Sequence, residues 1–374
     1  MHSFKLKAID KLNNPEFWEL NISLAIRAFA QGLVEIFIPL YLYFNGVNLQ
    51  TIFLFYITTN LFNIFLTPFV SVILSKIGPK HSLILNTPFQ IIFYLLIYSF
   101  TTFNWNIFFL AFILSLAHNF FRQGLHVQII KSTLKNSEGQ SLAKIRIMQI
   151  LAKALSPIIG GLLTVTFSYN LVLIIACLLI LTSNLPLLLT KDNHLEFDLN
   201  FLEVFKNIKW NQFWSFFGAG MELDANDLVW PIILVIFLNY SFTTTGIITA
   251  IGVFFSVIGS YFVGKLADTK RTGMLKIGVV LGSIFWGLRS IVSTGWQVFV
   301  VDSAFGFFDT LKNIPYNSMI YDRFREQKIM NYLVFHQVAI NCGRAALFTL
   351  LFFFPNLILS VWVGAGSGYL HLIF

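Results

Sequence analysis

The chain has 374 residues, 56% of them hydrophobic and only 11% charged, with a formal net charge of +8. A mean hydropathy of +0.74 excludes a water-soluble globular protein. The bases lie in short loops and at helix ends without forming an extended face, which excludes a nucleic-acid partner. Apolar runs of about 20 residues are long enough to cross a bilayer, and lipid gives the backbone no hydrogen-bond partner, so each run must be helical.

Residues 1–17 carry Lys5, Lys7 and Lys11 and read as a cytoplasmic lead-in. The first apolar stretch is too long, and lacks the small-residue cleavage site, for a signal peptide. Six spans are predicted over 18–44, 50–75, 80–101, 105–130, 142–166 and 169–190, forming a first bundle over 18–190. A polar linker follows at 191–210, with apolar residues interleaved with charges as in a surface-lying amphipathic helix. Six more spans, over 211–239, 244–266, 273–293, 295–320, 329–353 and 356–374, form a second bundle over 211–374. Turns such as Asn45-Gly46 and Pro355-Asn356 separate them. Trp105, Tyr169, Tyr240 and Trp296 stand near turns, as interfacial anchors do. Most of the 43 Phe are spread over all spans and serve packing and lipid contact. Cys177 and Cys342 fall inside apolar runs and read as reduced packing residues.

Loop charge sets the orientation. Turns after the odd-numbered spans hold no Lys or Arg, whereas the alternate loops hold Lys76, Lys80, Lys131, Lys135, Lys265, Lys270, Arg271, Arg323 and Lys328, among others. That asymmetry predicts a multi-pass protein of a bacterial-type inner (plasma) membrane with both termini cytoplasmic.

A charge at the bilayer centre costs about 2.5–3.5 kcal/mol even on the lenient insertion scale. The spans nevertheless contain the bases Arg27, Arg122, Lys153, Lys312 and Arg344 and the acids Glu35, Glu222, Asp224, Asp227, Asp302 and Asp309. They crowd into spans one, four, five, seven, ten and eleven. Spans three, six and twelve hold none, and span nine only Arg289 near its outer end. The charged helices should therefore be central, with their ions facing a shared crevice. Spacing agrees: Arg27, Gln31 and Glu35 recur at four-residue intervals, as do His118, Arg122 and His126, while Gln337, Asn341 and Arg344 form another stripe.

An internal duplication runs through these residues. Glu35-Ile36-Phe37-Ile38-Pro39 matches Asp227-Leu228-Val229-Trp230-Pro231, and Arg122 matches Asp309. The first half contributes mainly bases and the second mainly acids, so ion pairs across the crevice that re-form as the halves rock are expected. Glu35 and Asp227 are first choices for coupling-proton carriers, with a permanently ionised structural pair as the alternative. Asp309 is either a further carrier or a partner of Lys312 three residues on. Glu222 reads as a packing or gating residue. Arg122 is either an anion binder or half of a fixed salt bridge. His118 and His126 read as a proton relay, with no metal site because no carboxylate or Cys shares their helix.

Twelve spans in two repeats, with basic hairpins after the second span of each, resemble the major facilitator superfamily over essentially the whole chain. The stretch Gly264-Lys265-Leu266-Ala267-Asp268-Thr269-Lys270-Arg271 is similar to that family's loop signature, and Lys76 and Gly78 belong to a degraded first copy in which Ser75 replaces the acid. The resemblance implies a cytoplasmic gate latched through Asp268 and Arg271. Pro157, Gly160 and Gly161 on span five are similar to the pattern of the family's proton-coupled exporters, with Lys153 an unusual insertion. It also implies an all-α fold of twelve transmembrane helices in two pseudo-symmetric six-helix bundles. The expected function is alternating-access transport of a small organic solute coupled to protons, with no cofactor, by a monomer in the lipid bilayer; export stands ahead of uptake by symport. A lipid or amphiphile flippase on the same fold and a membrane-embedded enzyme on lipid-linked substrates are the rivals. No phosphate-cradling loop is present for an ATP-driven pump.

Overall fold

The computed structural model describes residues 15–132, 138–189, 204, 209–266, 270–326 and 328–374. The expected lead-in and linker, and Asp268 of the loop signature, fall largely outside them. Twelve helical spans run through the described residues, which contain no strand. In the first half these are α1 (Pro15–Val34, carried on by Glu35–Phe37 and Ile38–Phe44), α2 (Leu49–Ile77), α3 (Pro79–Tyr98), α4 (Ile107–Ser132), α5 (Glu138–Thr166) and α6 (Tyr169–Thr182). In the second they are α7 (Trp210–Asp224, carried on to Phe237), α8 (Phe242–Leu266), α9 (Arg271–Leu288), α10 (Gly295–Glu326), α11 (Ile329–Phe353) and α12 (Leu357–Ser367, carried on by Gly368–Ile373).

Seven spans are long and apolar enough to cross a membrane on hydropathy alone: α1, α2, α3, α4, α6, α8 and α11. α7 and α10 are not among them, because Glu222, Asp224 and Asp227, and Asp302, Asp309 and Lys312, interrupt their apolar runs. Glu222, Asp224, Asp302 and Lys312 are buried and Asp227 and Asp309 open onto an internal cavity, while Phe254, Tyr261, Phe262, Phe65 and Phe69 face outward, as expected where lipid is the solvent.

The duplication is visible in helix neighbours. α1 packs on α5 and α6 as α7 packs on α11 and α12; α2 meets α4 as α8 meets α10; α3 meets α4 and α6 as α9 meets α10 and α12. The halves join along two equivalent seams, α5 against α8 and α2 against α11.

Small residues set these approaches. A side chain at Gly220 would run into the backbone of Ile340, at Gly343 into Phe217, and at Gly306 into Gly252. Lipid supplies no hydrophobic drive between helices, so close backbone contact and hydrogen bonds must hold them. The α2–α4 seam is of the second kind: Thr67 donates to Asn119 at 2.7 Å, Asn119 to Asn63 at 3.0 Å, and Ser115 to the Thr59 carbonyl at 2.8 Å.

Both α1 and α7 break at matching places. Pro39 cannot donate to the carbonyl four residues back, that of Glu35. The helix tightens to a 3-10 turn at Glu35–Phe37, and the Ile38 N–H bonds the Glu35 carbonyl instead. The Val34 carbonyl is then taken by the Tyr169 hydroxyl at 2.9 Å. Tyr169 is thus a buried cap on the break, not the interfacial anchor its place beside a turn suggests. In α7 the same Pro, Pro231, is flanked by π-helical turns at Ala225–Val229 and Ile233–Phe237. Asp227 sits in the first of them.

Candidate functional site

A cavity of about 200 Å³ lies between the halves, lined by α1 and α5 on one side and by α7, α8, α9 and α10 on the other. Among the charged and polar residues singled out in the sequence, Gln31, Glu35, Lys153, Asp227, Asp302 and Asp309 line it, together with Pro157. The breaks in α1 and α7 place Glu35 and Asp227 on opposite walls. Glu35 lies 3.5 Å from the Gln90 amide, and Asp227 accepts from Asn226 at 2.9 Å.

Arg27 does not face the cavity. A four-residue step advances about 40° around a helix, so Arg27 lies roughly 80° from Glu35. Its guanidinium enters the first half, where it bonds Asn86, Thr87 at 3.0 Å and Asn184 at 3.1 Å, over the Phe121 ring. It ties α1 to α3 and α6 through neutral oxygens.

Arg289, set aside in the sequence as peripheral, is 5% exposed and lines the cavity. Its Nη2 lies 2.8 Å from Asp302, its Nη1 donates to Asn226 at 3.0 Å, and rings of Trp230, Trp286 and Phe305 lie 4.2–4.6 Å from its guanidinium carbon. Trp230 Nε1 closes the set with a 2.9 Å bond to Asp302. An Arg standing alone among the apolar residues of the half of its span away from Lys276 was the available signal, since a base that must be buried needs a partner.

A second ionic cluster sits deeper in the second half. Lys312 pairs with Glu222 and lies 3.0 Å from Asp309. Glu222 also accepts from Trp286 at 3.1 Å. Arg344 lies 3.6 Å from Asp224. The ion pairs of Arg289, Lys312 and Arg344 therefore all join residues of one half, where pairs across the crevice were expected. What crosses is hydrogen bonding: Arg122 donates to Asn341 at 3.3 Å, and His126 Nδ1 lies 2.9 Å from the Tyr321 hydroxyl. Arg122 on α4 makes no ion pair within 4 Å among the described residues, but its charge acts on Asp224 of α7, whose nearer base is Arg344.

His118 is half-buried, its Nδ1 without a hydrogen-bond partner among the described residues. Gln337 neighbours His336, and Asn341 bonds back to the Gln337 carbonyl at 2.7 Å. These residues form a layer between α4 and α11, separate from the cavity lining.

At the basic-loop end, Lys76 closes α2, and Gly78 follows at φ 86, a left-handed value that Gly accepts without strain. Gly264 lies in the last turn of α8, and Arg271 pairs with Asp322 at the end of α10. On α5, a side chain at Gly161 would meet Phe242, and one at Gly160 the Leu33 backbone. Pro157 faces Gly246 of α8. Pro157 and Gly161 thus lie on the seam between the halves, and Gly160 on the contact with α1.

The family model of the Major Facilitator Superfamily matches residues 20–347. The fold is similar to that of the E. coli fucose:proton symporter FucP in a variant form, with TM-score 0.70 and 12% identity, covering 96% of this chain and 97% of that one. It is similar to FucP in the outward conformation (TM-score 0.70, 13% identity, 96% and 98% covered). A bacterial homologue of the iron transporter ferroportin, outward-facing with soaked iron, gives TM-score 0.69 at 13% identity, with 96% and 97% covered. No curated protein sequence matches the chain at a significant level. The twelve-helix duplication, the cavity between its halves and the match over most of the sequence agree: this chain belongs to the major facilitator superfamily of transporters.

Proposed function

We propose that the protein is a proton-coupled secondary transporter that exports a small organic solute by alternating access, with Glu35 and Asp227 as the proton carriers. One observation carries this reading. Two carboxylates at equivalent positions of the repeat, each four residues before a helix-breaking Pro, face one cavity from opposite halves, and neither makes an ion pair within 4 Å among the described residues.

Such a pair can couple protons to motion. An ionised carboxyl in a closing, water-poor crevice carries a large desolvation cost, which a proton removes. Protonation therefore favours closure, and release to the other side favours reopening. Export is supported by the likeness of Pro157, Gly160 and Gly161 to the exporter pattern, with Pro157 and Gly161 packed on α8 and Gly160 on α1. The cavity, at about 200 Å³, is below the roughly 300–1,000 Å³ of drug-sized pockets, which favours a small solute over a lipid. Uptake by symport, the mode named for the fucose:proton symporter, would use the same acids and differs in the direction of flux.

The test uses proteoliposomes loaded with a defined solute mixture under an imposed pH gradient. At least one solute should move uphill against its own gradient, outward when the proton gradient is inward. Asp227→Asn should abolish the uphill movement by at least tenfold and spare solute exchange at equilibrium. Transport by the unaltered protein that ignores the pH gradient would falsify proton coupling.

A further inference from the structure

Glu222 of α7 and His371 of α12 meet behind the cavity wall, 6% and 2% exposed. Glu222 takes both of its donors, the Lys312 ammonium and the Trp286 indole at 3.1 Å, on one oxygen, Oε1. Its other oxygen, Oε2, faces His371 Nε2 at 3.9 Å, too far for a hydrogen bond. The second ring nitrogen fixes the tautomer. His371 Nδ1 lies 3.0 Å from the Gly368 carbonyl, which can only accept, so Nδ1 carries the hydrogen. Nε2 of the neutral ring is then an acceptor. Ionised Glu222 and neutral His371 thus point lone pairs at one another, and no hydrogen bond reaches either atom among the described residues.

We propose that Glu222 and His371 form a proton-binding site, with the proton held between Oε2 and Nε2. The site is separate from Glu35 and Asp227 and does not depend on their role as carriers. Facing acceptors are costly in a buried place. One proton converts them into a charge-assisted hydrogen bond once the gap closes by about 1 Å. The groups facing the pair are Lys312, Asp309 and Tyr316 of α10 and Trp286 of α9. Tyr316 lies edge to face with His371 at 4.5 Å, and its hydroxyl is engaged by Ser215 at 2.8 Å.

Lys312 ties the site to the cavity. Its ammonium contacts Glu222 and also, at 3.0 Å, Asp309 on the cavity wall. A proton on Glu222 removes the charge that holds Lys312 back and leaves the ammonium to Asp309. The same contacts form a route: Lys312 gives one proton to Glu222 and takes one from Asp309, ending as the ammonium it began. The matching junction of the first half, α1 with α3 and α6, holds Arg27 with neutral oxygens. Packing alone therefore does not call for a carboxylate set against an imidazole.

The experiment records infrared difference spectra of the purified protein in proteoliposomes as the pH falls from alkaline to mildly acidic. It uses the Glu35→Gln/Asp227→Asn background, which removes the proposed carriers. A protonated-carboxyl C=O band should grow on acidification and be lost when Glu222→Gln is added. In His371→Gln the new amide donates to Oε2 and satisfies the ionised form, so the band's midpoint should move toward acid by at least tenfold in proton concentration. Asp309→Asn leaves Lys312 wholly to Glu222 and should move the midpoint the same way. Should Glu222→Gln fail to fold, the shift in His371→Gln identifies the band. No such band in this background overturns the proposal and leaves the cavity carriers standing. A midpoint unmoved in His371→Gln overturns the shared proton, and one unmoved in Asp309→Asn overturns the link through Lys312.

Discussion

Arg289 and Asp302 show what burial does to a charged residue in this protein. Each is at most 5% exposed, and each is fully engaged by the other, by Trp230 and by Asn226. Removing one partner of a buried ion pair leaves the other uncompensated, at about 3–5 kcal/mol. Arg289→Met and Asp302→Leu should each lower the detergent melting temperature clearly, whereas the combined Arg289→Met/Asp302→Leu replacement should recover much of the loss. A double replacement as unstable as the sum of the single ones would sink this account. Glu35, Asp227, Lys153, Asp302 and Asp309 were legible as cavity residues because a charge in an apolar run has few other places to go. Arg27 was misread because a four-residue stripe winds slowly around a helix, and nothing in the stripe tells which end leaves the crevice. Arg289 was missed because position along a span says little about depth until the partner is known.

At the scale of helices, the repeat made the paired acids and prolines readable, but not the form of the breaks. A Pro dictates a lost hydrogen bond; whether the chain answers with a 3-10 turn, as in α1, or with π turns, as in α7, depends on neighbours such as Tyr169. Pro231→Ala restores an N–H and should straighten α7, drawing Asp227 out of register. We expect a stability equal to or above that of the parent and at least a tenfold slower solute exchange, read in proteoliposomes. Helix seams give a second contrast. Gly343→Val would drive a side chain into the Phe217 backbone and should abolish folding, seen as loss of the monodisperse peak in size exclusion. Gly282→Ala meets nothing within 4 Å and should be neutral or stabilising by up to about 1 kcal/mol, from helix propensity alone.

At the scale of the molecule, the twelve spans and their duplication follow from hydropathy and repeated residues, whereas the α5–α8 and α2–α11 seams do not. Neither does the pairing of ions, since sequence shows which charges exist and not which way each helix is rotated. Contacts between the halves flank the cavity toward both ends: His126 with Tyr321 near the basic loops, and Tyr56 stacked on Phe348 at 4.8 Å nearer the other end. With Cys177 and Cys342 replaced by Ser, a short reducible crosslinker joining His126→Cys to Tyr321→Cys should stop exchange, and reduction should restore it; undiminished exchange in the crosslinked form would show that this contact need not open. The surfaces joined there meet through the His126–Tyr321 contact and an aromatic stack, while Arg289, Lys312 and Arg344 each have an acid partner within the second half. Rocking the halves apart then breaks none of these ion pairs, and the electrostatic part of the barrier falls on Arg122, which donates to Asn341 across the seam and whose charge acts on Asp224. Because buried charges are little screened, added potassium chloride should change the turnover of a saturated carrier less than Arg122→Gln does, and the second bundle should travel with its own ion pairs intact.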